Sequence, residues 1–499
     1  MAFFTIVLAA GEGTRMRSTR AKVAHELLGK PLIRWVVDAA KSAESDAVIT
    51  VVGHAREQVI PLIENDTIVV VQEQRLGTGH AIMIARETLL EQEQKSLGQT
   101  RETREHKTQE PEAREDGRAA SLVVLCGDTP LITAQTIATL AASQQEDGAA
   151  ACVLTHILDD PTGYGRIIRD EKDALVRIVE EKDATPAERA VKECNSGAYC
   201  FDLAILLENV RELDKNNAQG EYYLTDIIEK LVAKGLPVTA HLTDAEQTQG
   251  INSRAQLAQA TKAMQRRVNA THLDAGVTML DPELVWIGPD VSLEHDVEIL
   301  PLTFLNGTTR VARGSVLGPN TRVTDCVIGK DCQVEESVLV EAVLEDGVSC
   351  GPRAYLRPGT VMKAGSKAGT HVEIKNSTVG PGSKVPHLSY LGDTQLGEDV
   401  NIGAGAITCN YDGFSKNQTT IGDRSFIGSD TMLVAPVTVG SDTVTGAGSV
   451  ITDDVPDGAL AVERTRQHIV KGWAREHVKK KTRGREMKSS RMRKKEKPQ

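Results

Sequence analysis

The sequence predicts two fold classes in series: an α/β half with a mostly parallel sheet, then an all-β half built as a parallel β-helix. Three observations carry this. Residues 1–250 alternate short β-branched runs with helix-like patterns. From Ile287 onward, aliphatic residues recur at every sixth position. Hydrophobic residues at 40% and charged residues at 25% give a globular balance, while 3% aromatics and 42 glycines call for an aliphatic, glycine-punctuated core.

In the first half, strands are expected over 5–9, 47–52, 67–71 and 122–125, and helices over 31–43 and 79–90, the first opened by Pro31 at N1. Residues 91–118 contain only Leu97 and Ala113 as hydrophobes, with eight acids and six bases. Such a stretch buries too little apolar surface to order itself and reads as a surface insertion. Residues 252–274 read as one helix, with Leu257, Ala260, Met264 and Val268 on a common side, connecting the halves.

The second half steps by six through Ile287, Leu293, Ile299, Leu305, Val311, Leu317 and Val323, slips by one, and resumes at Ile328 and Val334. It returns at Leu396 and Ile402, then Ile421, Ile427, Leu433 and Val439, with Thr445 the exception before Ile451. Three hexads make one triangular coil of about 18 residues, its aliphatic side chains stacking inward on the next coil. Neither an amphipathic helix nor a two-residue alternation generates this period. The ends of such a stack need covering. The connector helix suits one end and residues 459–473 the other. Flanks of such prisms pair with copies of themselves, so a homo-oligomer is expected.

The formal charge of −11 argues against the whole molecule being a nucleic-acid binder. Charge is uneven: residues 471–499 carry a net +10, leaving −21 on the rest. This tail lacks hydrophobic periodicity and is expected to be disordered, either a solvated end or a polyanion contact. The apolar run at residues 3–10 is too short to span a bilayer, which needs about 20 residues, and no basic region or cleavage site marks a signal peptide. Eight scattered cysteines with no metal spacing suit reduced thiols in a cytoplasmic protein.

The first strand ends in Leu8-Ala9-Ala10-Gly11-Glu12-Gly13-Thr14-Arg15-Met16. Glycines let the backbone turn tightly so that successive N–H groups form an anion nest, and Arg15 adds charge-assisted hydrogen bonds. The loop lacks the Gly-Lys-Ser/Thr of a Walker A loop, and Met16 stands where a dinucleotide fingerprint has its third glycine. A Gly-x-Gly alone serves an ordinary strand-to-helix turn equally well.

The nine-residue string resembles the signature of sugar-phosphate nucleotidyltransferases. Further strings narrow the match: Gln72, Leu76-Gly77-Thr78-Gly79-His80-Ala81, Gly127-Asp128, Gly163-Tyr164-Gly165-Arg166, Val179-Glu180-Glu181-Lys182, Asn195-Ser196-Gly197 and Glu221-Tyr222-Tyr223-Leu224-Thr225-Asp226. The second half adds Leu356-Arg357-Pro358-Gly359, His387-Leu388-Ser389-Tyr390-Leu391-Gly392-Asp393, Asn401-Ile402-Gly403-Ala404-Gly405 and Cys409-Asn410-Tyr411-Asp412-Gly413. Together these resemble the family of bifunctional bacterial N-acetylglucosamine-1-phosphate uridyltransferase/glucosamine-1-phosphate acetyltransferases, over about residues 3–470 apart from the insertion.

The resemblance implies a Rossmann-like nucleotidyltransferase domain over 1–250, a linker helix over 251–277 and a left-handed β-helix acetyltransferase domain over 278–470. By the same resemblance, Leu8, Ala9, Ala10, Gly11 and Thr14 hold UTP, Arg15 and Lys22 face its phosphates, and Gln72, Gly77 and Thr78 read the uracil. Asp128 and Asn252 bind Mg²⁺, for which hard oxygen ligands are suited. Gly165, Glu180 and Asn195 hold the N-acetylated sugar. Asp128 read alone is a turn residue, Lys22 a surface lysine, and Asn252 the helix N-cap. In the β-helix, His387 is the implied general base and Arg357, Lys375, Tyr390 and Asn401 the amino-sugar phosphate site. Ala404, Asn410, Tyr411, Ser429, Ala447 and Arg464 form the implied acetyl-CoA site. Without the resemblance, His387 reads as structural and Arg357 as an exposed coil corner. The implied assembly is a homotrimer. The sequence departs from the family at Ala21 and Cys126, where a proline and an aromatic are usual, and at Pro386, where a small residue is common.

Two other readings remain at this point: nucleotidyl transfer alone, with a merely scaffolding solenoid, and a regulatory protein with degenerate sites. Arg357, His387 and Tyr390 together disfavour the first, and the intact Gly11–Met16 string with Asp128 the second.

Overall fold

The computed structural model describes residues 3–105 and 120–495, with side chains over 3–96 and 120–489. The chain divides into two compact units, Met1–Val340 and Glu341–Gln499.

In the first unit the main sheet contains β1 (Phe3–Ala9), β2 (Ala47–Val52), β3 (Ile68–Val71), β4 (Ser121–Cys126), β5 (Ala151–Ile157), β6 (Arg166–Arg169), β7 (Leu175–Val179), β8 (Glu193–Asp202) and β9 (Val238–Leu242). The order is β9-β5-β8-β4-β1-β2-β3, with β6 joining β8 to β7. Strands β4, β1, β2 and β3 run parallel, and β8 is antiparallel to both β4 and β5, so the sheet is mixed. Alternation along β1 feeds two cores. Phe4 and Ile6 pack with Ile82, Ala85 and Leu89 of α2 (Thr78–Glu105). Phe3, Val7 and Ala9 pack with Ile33, Val36 and Val37 of α1 (Leu32–Ser42), and with Ile137 and Leu140 of α3 (Ala134–Glu146). Fully burying such aliphatic side chains stabilises the fold by about 1.5–3 kcal/mol each before entropy is counted.

Two expectations need correcting here. The helix expected over 79–90 continues to Glu105, so the first part of the charged stretch 91–118 is helical. Glu, Gln, Lys and Arg are good helix formers, and a helix already nucleated on a buried face extends into solvent without burying more. Residues 106–119 lie outside the described ones. Pro31 also sits at the N-cap of α1 rather than at N1.

The connector helix α4 (Arg254–Asp274) is capped by Ser253, whose side chain accepts from the Gln256 N–H. That leaves Asn252 available for another role. Leu27, Leu131 and Ile251 pack against Ala260, Ala263 and Met264 of α4. The helix also closes the first coil. Gln265 Nε2 donates to the Val285 carbonyl at 2.5 Å, and Asn269 Nδ2 donates to the Val285 and Pro282 carbonyls at 3.0 and 2.7 Å.

Beyond α4, short strands pair in parallel from coil to coil. Ile287 opposes Leu305 and Leu305 opposes Val323, the expected repeat of 18 residues. The inward residues from Ile299 to Val334 are buried, and only Leu293 is half-exposed. In the second unit Leu356 opposes Ile374, Ile374 opposes Leu391, and Ile402 opposes Ile427. The last step lengthens because 410–417 leaves the coil as a loop. Thr445 is buried in an aliphatic position, and its Oγ1 accepts from the Gly428 N–H at 2.9 Å. A buried hydroxyl so satisfied is tolerated in place of an aliphatic group.

The structure also differs from the expected disordered tail. Residues Trp473–Lys495 form a helix, exposed wherever its side chains are described. Its Lys, Arg, Glu and Met content favours helix locally without an apolar face.

Candidate functional site

In the first unit the C-terminal ends of parallel strands β4, β1, β2 and β3 lie side by side, where α/β sheets bind ligands. A cavity of about 430 Å³ opens there, lined by Leu8, Ala9, Ala10, Gly11, Lys22, Gln72, Gly77, Thr78 and Asp128 among others. Nine residues singled out from the sequence thus meet in one hollow, including Leu8 and Ala9 at the end of β1 and Ala10 and Gly11 in the loop after it. Gly13 turns this loop at φ 67°, and a Cβ there would come within 2.5 Å of Lys22 Cβ. Thr14 and Arg15 follow in a single exposed 3₁₀ turn and do not line the cavity.

The Lys22 ammonium pairs with Asp128 Oδ2, and it also donates to Asn252 Oδ1 at 3.1 Å. Lys22 and Asp128 are largely buried, their side chains 14% and 15% exposed. Two hard oxygens from distant parts of the chain therefore converge on one cation.

The loop bearing Lys22 shows how Ala21 is accommodated. The Ala21 N–H, which a proline would lack, donates to Gln58 Oε1 at 2.8 Å, and Gln58 Nε2 donates to the Thr19 carbonyl at 3.1 Å. Ala21 lies at φ −53°, within the proline range. For the pyrophosphate-releasing reaction that the resemblance implies, Gln58→Ala should lower the rate by roughly three- to fivefold, and Ala21→Pro added to it should restore most of the loss. Assaying both variants against the parent checks this.

A second cluster adjoins this pocket. The Asn195 N–H donates to the Gly165 carbonyl at 2.9 Å, Asn195 Nδ2 donates to the Tyr199 hydroxyl at 2.7 Å, and Thr225 Oγ1 donates to Glu180 Oε1 at 3.2 Å. Burial raises the Glu180 carboxyl above its ordinary range, against the Thr225 hydrogen bond. Arg166 is almost fully buried and pairs with Glu181 at 2.7 Å, fixing the strand after Gly165. Cys126 lines the cavity, and its Sγ donates to the Gly197 carbonyl at 3.5 Å. Burial, helped by Asp128, pushes the thiol up to about 12, so it stays protonated.

The second unit gathers another set. Arg357 pairs with Glu373 at 2.8 Å. Lys375 follows Ile374 on its strand and lies in register with Gly392, two residues after Tyr390. Gly392 brings these groups close: a Cβ there would lie 2.5 Å from both the Tyr390 hydroxyl and Asn410 Nδ2 and would push those side chains aside. Asp393 accepts from Asn376 Nδ2 and Asn410 Nδ2, each at 2.6 Å. Burial would raise its carboxyl, but these bonds and the Lys375 and Lys416 charges hold it below its ordinary range. Lys416 also depresses Lys375, so two ammonium groups share this corner. Crowded cations of this kind suit a phosphate. His387 ends the strand Lys384–His387 with an exposed side chain, and Asn401 lies on the strand paired to it.

Ala404, Ser429, Ala447 and Arg464 form a connected row. The Asp430 N–H donates to the Ala404 carbonyl and the Gly448 N–H to the Ser429 carbonyl, both at 2.8 Å, while Arg464 donates to the Ala447 carbonyl at 3.0 Å. Asn410, grouped with this row from the sequence, donates to Asp393. Tyr411 is exposed, and its hydroxyl donates to the Gly413 carbonyl at 2.8 Å. The sequence reading missed Gln58, Asp393 and Lys416. Asp393 lay within a quoted motif, whereas no local pattern marks Gln58.

A MobA-like NTP transferase domain matches residues 5–190, and the bacterial transferase hexapeptide (six repeats) matches 418–453. The chain is 44% identical over 477 residues to the bifunctional protein GlmU of Caldanaerobacter subterraneus subsp. tengcongensis, covering 95% of this chain and 98% of that protein. This chain belongs to the GlmU family. The bifunctional protein GlmU of Desulfitobacterium hafniense is 45% identical over 95% of this chain and 99% of its own length. That of Heliobacterium modesticaldum is 46% identical over 93% and 96%. The GlmU likeness thus spans both units, and with it both clusters.

Proposed function

We infer that the chain is a bifunctional enzyme that makes UDP-N-acetylglucosamine, with uridyltransferase chemistry at the first cluster and acetyltransferase chemistry at the second. One observation carries this: a single chain holds a carboxylate–amide–lysine cluster at strand ends and a separate arginine–lysine–tyrosine–histidine cluster on a β-helix.

In acetyl transfer the amine of glucosamine 1-phosphate attacks the thioester carbonyl of acetyl-CoA, the C–N bond forms and the C–S bond breaks. His387 accepts the amine proton, which passes to the departing thiolate. Arg357, Lys375, Tyr390 and Asn401 hold the sugar phosphate, joined by Lys416. Ala404, Ser429, Ala447 and Arg464 line the coenzyme, with Tyr411 at its edge. Asn410 positions the phosphate site through Asp393.

In uridylyl transfer a phosphate oxygen of N-acetylglucosamine 1-phosphate attacks the α-phosphorus of UTP and pyrophosphate leaves. Leu8 through Gly11 and Thr14 bind the nucleotide, Arg15 and Lys22 meet its phosphates, and Gly77 and Thr78 face the base with Gln72. Gly165, Glu180 and Asn195 hold the acetylated sugar. The converging oxygens of Asp128 and Asn252 fit Mg²⁺, a cation that neutralises phosphate charge when bound.

The division of labour follows residues 1–250, the linker 251–277, the β-helix 278–470 and the basic end 471–499. Among the described residues no helix is long and apolar enough to cross a membrane. Cys126, Cys152, Cys194, Cys200 and Cys409 are thiols, which suits the cytoplasm, and the basic helix offers a contact for polyanions.

Given UTP, acetyl-CoA and glucosamine 1-phosphate, the purified protein should form UDP-N-acetylglucosamine with pyrophosphate and coenzyme A in equal amounts. Coenzyme A without pyrophosphate would remove the first site. A homotrimer is the assembly we expect. Phe426, Val444 and Leu460 form an outward apolar ladder on paired strands, 49%, 42% and 68% exposed. Such a ladder favours a second copy of the chain. A mass in solution three times that of the chain checks it.

A further inference from the structure

We propose that His80 is a positioning residue that turns the Gln72 carbonyl oxygen toward the nucleotide base. The pocket would then prefer a base offering a ring N–H donor over one offering a ring-nitrogen acceptor. The inference rests on the reading that Gln72 faces the base.

Gln72 follows β3, and its backbone N–H donates to the Val52 carbonyl at 2.8 Å. The residue is 4% exposed and lines the cavity. Gln72 Nε2 lies 3.1 Å from the Gly77 carbonyl oxygen and 3.0 Å from His80 Nδ1. A backbone carbonyl only accepts, so the amide atom facing Gly77 is the nitrogen. The same nitrogen therefore donates to His80 Nδ1, which makes the imidazole neutral with its proton on Nε2. Burial and the nearby Lys215 charge both disfavour the protonated ring, against a smaller pull from the Gln74 backbone. The Tyr222 ring stacks on His80 at 6.3 Å, and Lys215 lies over the far partner of that stack, 4.8 Å from the Tyr222 centroid.

Both amide protons of Gln72 are thus committed inside the protein. Among the described residues its Oε1 has no partner, so what the side chain offers the cavity is an acceptor. Reversing the amide would set its oxygen against the Gly77 oxygen and the Nδ1 lone pair together. Uracil presents N3–H, a donor, whereas N3 of cytosine is an acceptor and, once the base fills the cavity and shuts out water, would leave Oε1 unpaired. Leaving a buried polar group unpaired is what makes such a site reject the wrong ligand. His80 itself does not line the cavity, so its effect is exerted through Gln72.

The test is the ratio of kcat/KM for UTP to that for CTP, measured by pyrophosphate release on the full chain. His80→Phe keeps a ring against Tyr222 and removes the acceptor, and it should lower the ratio about tenfold. His80→Gln, which retains an acceptor oxygen, should keep the ratio within about twofold of the parent. Gln72→Ala is measured alongside. If Gln72→Ala collapses the ratio while His80→Phe leaves it intact, the role given to His80 is overturned. If Gln72→Ala leaves the ratio intact, Gln72 does not read the base, and the underlying site reading falls first. Should His80→Phe not fold by circular dichroism, His80→Ala carries the same expectation with a smaller side chain.

Discussion

Asp128→Ala is expected to lower uridylyl transfer by about a thousandfold, the scale on which a group that neutralises transition-state charge acts, and to leave acetyl transfer within about twofold. The reason lies in what Asp128 holds. Its Oδ2 pairs with the largely buried Lys22 ammonium, which also reaches Asn252. Removing the carboxylate leaves that ammonium with one neutral amide oxygen as partner and takes away the only negative charge in the trio. Asp128→Asn separates charge from shape, because it keeps an oxygen near Lys22. If charge is what matters, the asparagine variant should be nearly as impaired as the alanine one. Pyrophosphate release and coenzyme A release, assayed separately on the same preparation, give both readings. Loss of both activities in a folded protein would contradict the assignment of the two chemistries to separate clusters.

His387→Ala should show the reverse pattern. General-base assistance contributes on the order of 10²–10⁴, so acetyl transfer should fall by that factor while pyrophosphate release from N-acetylglucosamine 1-phosphate and UTP persists. The effect should appear in kcat more than in the KM for glucosamine 1-phosphate, because in the proposed site Arg357, Lys375 and Lys416, not His387, hold the phosphate. Arg357→Ala should show the converse split, a raised KM with a smaller change in kcat. An unchanged acetyl-transfer rate in His387→Ala would remove it as the base.

How far the sequence led depended on the range of the interaction involved. The hexad spacing made the coil legible because every inward residue meets the same environment one coil later, as Ile287, Leu305 and Val323 do. The four parallel strands were legible because strand and helix periods alternate. The antiparallel β8 was not, since direction is set by pairing partners far along the chain. The helical run to Glu105 was missed because composition was weighed without the nucleus supplied by Ile82, Ala85 and Leu89. Within the site, residues in contiguous strings such as Leu8–Gly11 were easy to single out. Gln58 and Lys416 act across 37 and 41 residues on Ala21 and Lys375, and one sequence contains no signal for such pairings.

A stack of near-identical rungs has no internal reason to stop, because each rung offers the same backbone edge to the next and could seed open-ended fibres. Gln265 and Asn269 answer this at the first rung: their amides occupy the carbonyl of Val285, an acceptor that an incoming strand would otherwise use. The helix therefore blocks strand addition at that carbonyl, and an apolar residue at Gln265 would leave its protection to Asn269 alone.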